Sequence, residues 1–95
     1  MISDVFLTGR LSESLNATIR IVEIDRMIPE HGKFVIDKIP VSYWSNEPHS
    51  RFMKLTNGTL VVVRGRVQME AQIGLIIVAE QLAILGQNVL NEIGG

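Results

Sequence analysis

The apolar positions of this chain fall into five short runs rich in β-branched residues, each bounded by turn-forming residues. The runs cover residues 5–11 (VFLTGRL), 18–24 (TIRIVEI), 33–44 (KFVIDKIPVSYW), 59–69 (TLVVVRGRVQM) and 73–85 (IGLIIVAEQLAIL). In the second run Ile19 and Ile21 alternate with Arg20, while Val22 and Ile24 break strict alternation. Pro29 and Gly32 punctuate the chain before the third run. Pro40 lacks the N–H a central strand needs, so the middle of that run reads as an edge or a bulge. The last run is long enough for a helix, but Ile73, Ile76, Ile77 and Val78 favour a strand. Between the third and fourth runs the pattern changes. Ser45, Glu47 and Pro48 look like a helix start, residues 49–55 place Phe52 and Leu55 on one face, and Asn57-Gly58 supplies a stop.

Three strands, a short helix and two further strands predict a mainly β protein, a five-stranded OB-fold barrel with its helix between strands 3 and 4. Gly9 and Gly65 sit inside apolar β runs, where glycine marks a bulge or a barrel bend. The barrel is expected over residues 1–86, with residues 87–95 as a short tail. Phe6, Phe34 and Phe52 are expected in the core. Tyr43 is expected to pack or to face an interface. Trp44 has two readings: a stacking surface for a base, or a lid that closes the barrel over the helix through Phe52.

Ninety-five residues make one domain and leave no room for a separate catalytic lobe. With 46% hydrophobic residues, so short a chain has more apolar side chains than a monomer readily hides, and a homo-oligomer, dimer or tetramer, is expected. The sequence has no cysteine, which excludes disulfides and thiolate metal sites, and His31 and His49 lack paired ligand spacing. No cofactor is expected. No basic segment precedes an apolar stretch at the N-terminus, and the longest apolar runs fall far short of the roughly 20 residues that cross a bilayer. The expected setting is cytoplasmic, without a membrane partner.

In order and spacing these elements resemble the bacterial single-stranded DNA-binding protein family, SSB, over nearly the whole chain up to Leu85. The first strand of that family reads V-x-L-x-G-R-L, matched by Val5-Phe6-Leu7-Thr8-Gly9-Arg10-Leu11. Tyr43-Trp44, the helix, Asn57-Gly58 and Val62-Val63-Arg64-Gly65-Arg66-Val67-Gln68 follow in the family's order. Residues 77–85 match its closing V-V-A-E-x-[IV]-x-x-L pattern. The resemblance implies single-stranded DNA as partner and base stacking on strand aromatics. Of those aromatic positions only Trp44 is filled: the third-strand tryptophan position carries Lys38, the second-strand one falls near Met27, and the short hairpin at residues 69–74 holds no aromatic. The chain ends Asn-Glu-Ile-Gly-Gly, without the acidic tail of the replicative members, so a shortened, divergent member is expected.

Binding a single strand needs cations for the phosphates and flat faces for the bases. The basic candidates are Arg10, Arg20, Arg26, Lys33, Lys38, Arg64 and Arg66, joined by Trp44. Arg64 and Arg66 flank Gly65 and project from one side of the fourth strand, with Arg20 and Lys38 expected on neighbouring strands. A basic stripe is compatible with the formal net charge of −1. The opposite reading is a solvated barrel exterior with scattered charges. No enzyme is expected: Asp25, Glu30 and His31 have no nucleophile–base pair around them, Ser12-Glu13-Ser14 lacks a phosphate-cradling glycine loop, and Asp4 and Asp37 have no partner acid. Two functions follow: a binder of single-stranded DNA in replication, recombination or repair, or an OB-fold module for oligomerisation and replication or recombination partners with weak or no DNA binding.

Overall fold

A computed structural model describes residues 4–45, 47, 48 and 50–86. The order is β1 (Val5–Ser14), β2 (Ile19–Ile28), β3 (Lys33–Tyr43), α1 (Arg51–Lys54), β4 (Leu60–Glu70) and β5 (Gly74–Gly86). The strands close in the order β1-β2-β3-β5-β4, the five-stranded OB-fold barrel expected from the pattern. Residues 87–95, the expected tail, lie outside the described residues, as do Asn46 and His49.

Local chemistry sets the turns. The Asn16 side chain accepts from the backbone N–H groups of Thr18 and Ile19, both at 2.9 Å, and folds β1 back into β2. At the next turn Gly32 takes φ 61°, a left-handed conformation, and donates to the Ile28 carbonyl at 3.0 Å. The helix begins later than the sequence predicts: Ser50, not the Ser45–Pro48 stretch, is the N-cap, and its hydroxyl accepts from the Met53 N–H. Only one turn of helix forms, and its buried Phe52 closes one end of the barrel.

The core joins Leu11, Val22, Val41, Phe52, Val61, Val63, Ile77 and Ala79, with Tyr43 and Leu55 packed at its rim. Ile19, Ile76 and Val78 form a second cluster with Ile73 on the opposite side of the same wall. The first part of β2, residues 19–22, is therefore buried on both faces, which explains why its apolar residues do not alternate. Gly65 stands where the β4–β5 register shifts, as expected of a bulge, and a Cβ there would lie 1.9 Å from the Val78 carbonyl oxygen.

Pairing around the barrel is uneven. β2 and β3 pair along their whole length, and β4 pairs with β5 from Leu60 to Glu70. β3 meets β5 in a parallel seam of three register positions, Val41↔Ile77, Ser42↔Val78 and Tyr43↔Ala79, extended by the Trp44 N–H to the Ala79 carbonyl at 2.8 Å. Pro40 lies just before this seam, where β3 needs no donor toward β5. β1 reaches β2 only as far as Arg10↔Glu23, so the hairpin beyond Ile24 projects as a two-stranded ribbon.

Candidate nucleic-acid interface

The outer wall gathers part of the predicted set. Strand register places Arg66, Val78, Ser42 and Ile19 in one row across β4, β5, β3 and β2. Trp44 follows β3 at the end of the seam, and its side chain is 62% exposed. Trp44, Arg66 and Gln68 line a cleft of about 270 Å³ with Asn16 and Thr18 of the β1–β2 turn. Arg66 donates to Gln68 Oε1 at 2.8 Å. The sequence left two roles open for Trp44; the lid role falls to Tyr43, whose ring stacks on Phe52 with centroids 6.0 Å apart and 25° between planes. Trp44 is left on the surface, 6.0 Å from the Tyr43 ring.

Arg20 leaves the predicted set. It shares its side of β2 with Val22 and Ile24 and is only 3% exposed. Nε donates to the Ser12 carbonyl at 2.9 Å, Nη1 to the Phe52 carbonyl at 2.9 Å and Nη2 to Asn57 Oδ1 at 2.7 Å. Its donors join β1, the helix and the helix stop, and burial lowers its pKa from the ordinary arginine value without removing its charge. The surface alternation read from Ile19, Arg20 and Ile21 is thus inverted.

The remaining cations differ in how free they are. Arg10 makes a two-pronged bond to Asp25, at 3.0 and 2.9 Å, on the outer wall of β1 and β2. That hydrogen bond holds the Asp25 carboxyl below the usual aspartate range, and the same bond raises Arg10. Arg26, on the ribbon, pairs with Asp37 at 2.8 Å and is raised by it. Arg64 donates to Gln81 Oε1 at 3.1 Å and lies 3.7 Å from Asp4. Lys38 is exposed opposite Glu23, and Lys33 is exposed at the ribbon tip opposite Ile28. The structure therefore brings Trp44 and Arg66 into one cleft and Arg64 onto the same side of β4, and it spreads Arg10, Lys33 and Lys38 over the neighbouring wall and ribbon. Among the described residues no group of three or more acids and histidines is placed to hold a metal ion.

Two expected core residues are on the outside. Phe6 is 69% exposed, sharing its side of β1 with Thr8 and Arg10 while Val5, Leu7, Gly9 and Leu11 turn inward. Phe34 is equally exposed, beside Ile36 and Lys38. For Phe6 strand parity was the available signal, since it shares its face with Thr8 and Arg10. For Phe34, whose face also carries Ile36 and Pro40, parity gave none, and its exposure follows from the ribbon extending beyond the barrel.

No protein-family model and no curated protein matches the chain. Solved structures do. The mitochondrial single-stranded DNA binding protein Rim1 from S. cerevisiae, in its first crystal form, is 19% identical with a TM-score of 0.57, over 90% of this chain and 96% of that one. Its second form is 20% identical with a TM-score of 0.48, over 90% and 97%. The first of these likenesses shows a shared architecture: this chain has the OB-fold barrel of that protein.

Proposed function

We propose that this chain binds single-stranded DNA with little sequence preference, as a short cytoplasmic relative of the bacterial SSB proteins acting in replication, recombination or repair. The observation that carries this reading is the exposed indole of Trp44 in one cleft with Arg66: a flat face for a base beside a cation for its phosphate. The shared barrel fold with a mitochondrial single-stranded DNA binding protein supports it. Arg64 and the exposed Lys38 add charge on the adjoining wall. Arg10, tied to Asp25, contributes only where a phosphate displaces the carboxylate.

The test is fluorescence anisotropy with labelled oligo-dT at low and physiological salt. Affinity is expected to fall with salt as phosphate neutralisation releases counterions. Trp44→Ala is expected to weaken binding by roughly ten-fold or more, the loss of one stacked base. Absence of binding at low salt rejects the proposal.

A second reading has an observation of its own. Met27, Phe34 and Ile36 are exposed side by side on one face of the projecting ribbon. Such a face suits association with a second copy or a replication partner. Homo-oligomerisation through it is compatible with DNA binding at the Trp44 cleft; as the sole activity, it is the alternative that failure of the oligo-dT experiment would favour.

A further inference from the structure

We infer that the bound strand continues past Trp44, over Tyr43, into a second groove in which Phe6 is a further stacking surface and Arg64 a further phosphate contact. This inference rests on the single-strand-binding reading. The groove has a volume of about 560 Å³, with Phe6, Arg64 and Gln81 on its rim and Tyr43 in its wall. Register makes the rim one continuous row, for Phe6 and Arg64 face each other across β1 and β4, and Arg64 faces Gln81 across β4 and β5. The Arg64–Gln81 hydrogen bond ties the guanidinium to the groove rim, while its side chain keeps 44% exposure. Phe6 is more exposed than Trp44 itself.

Continuity carries the argument. Tyr43 is a wall of the Trp44 cleft, of the Phe6 groove and of a third hollow of about 360 Å³ that holds Arg51. Tyr43 is common to the three, and each contains one arginine: Arg66, Arg64 and Arg51. A π-face beside a cation, repeated along a groove, is the arrangement a flexible polyanion with aromatic bases requires. The opposite direction, along the ribbon, is less favourable. There Lys38 stands against Glu23 and Asp25 holds Arg10, so a phosphate meets more carboxylate than free cation; Glu70 lines the Trp44 cleft itself, beside Arg66 and Gln68. On the groove side the acids are Asp4, at 3.7 Å from Arg64, and Glu80.

The experiment moves the only tryptophan. In a Phe6→Trp, Trp44→Phe double variant, the indole at position 6 is the sole tryptophan fluorophore, and both sites keep an aromatic ring. Its emission is expected to fall when oligo-dT longer than about 16 nucleotides, the upper site size of one OB fold, reaches saturation by anisotropy. Phe6→Ala in the otherwise unchanged chain is expected to lose roughly ten-fold in affinity. Emission that stays constant at saturation, or an unchanged affinity of Phe6→Ala, overturns the inference. So does a blue-shifted emission that depends on protein concentration before DNA is added, because a second copy then covers this groove. If wild-type Trp44 is quenched by oligo-dT while the indole at position 6 is not, the groove is refuted and the Trp44 cleft stands. If wild type does not bind at all, both fall.

Discussion

At the scale of single residues, the same chemical group serves opposite ends according to which side of a strand it occupies. Arg20 and Arg66 are both strand arginines, yet one is sealed by three acceptors and the other stands in an open cleft. The alternation of β2 could be assigned either way from its residues, because apolar side chains occupy both faces; only the second cluster around Ile19 decides it. Arg20→Met is expected to strand the Ser12 and Phe52 carbonyls and the Asn57 amide. The cost is about 2–4 kcal/mol, read as a melting temperature lower by roughly 10 °C or more in circular dichroism. A melt unchanged from wild type would show that the buried guanidinium is replaceable. The Arg10–Asp25 pair gives a subtler test. A carboxyl held low by the native partner adds stability above its unfolded pKa, and that contribution disappears as pH falls through the folded value. Arg10→Gln is expected to bring Asp25 back up toward the ordinary aspartate range, followed by NMR titration of its carboxyl carbon. A midpoint that does not move would mean the pair leaves Asp25 unperturbed in solution.

The elements themselves were largely legible. Five β-rich runs, turn residues between them and a helix stop at Asn57-Gly58 are local signals, and local chemistry forms those elements. Their lengths were less so: β2 continues to Ile28, past the expected Ile24, because pairing with β3 carries it beyond the barrel wall. Phe6 and Phe34 were assigned to the core on hydrophobicity, yet both are exposed. Phe6 stands on the polar side of its strand, as an aromatic of a binding surface does, whereas Phe34 stands with Met27 and Ile36 on the apolar face of the ribbon. Gly65 could be recognised as a kink from its setting, although the reason is tertiary: the β5 backbone passes too close for any side chain. Gly65→Ala is expected to cost about 3 kcal/mol or more, since a backbone carbonyl cannot yield as a side-chain end can. Gly86→Ala, where a Cβ meets nothing within 4 Å, is the control and is expected to keep the wild-type urea midpoint. Equal midpoints for both variants would contradict the close approach of β4 and β5.

For the molecule as a whole, apolar composition foretold surface that a monomer leaves uncovered, and the ribbon displays it in Met27, Phe34 and Ile36. Ile36→Lys and Phe34→Glu are expected to lower the assembled mass in sedimentation velocity while leaving the barrel folded. A wild-type chain that sediments as a monomer across concentrations would remove the oligomer from the reading. What the residues could not disclose was where separate strands bring a cation and an aromatic together, since Trp44 and Arg66 meet only once the barrel has closed. That closure depends on the three-position seam between β3 and β5, against eleven positions between β4 and β5. β1 and β2 pair at as few positions, but the Asn16 turn joins them, so the seam is the place where the cylinder most readily becomes an open curved sheet. Amide hydrogen exchange at Tyr43 and Trp44 should then run ahead of Val61 and Val63, deep in β4. A ligand gripping Trp44 on one bank and Arg66 on the other would latch the barrel shut and slow that exchange.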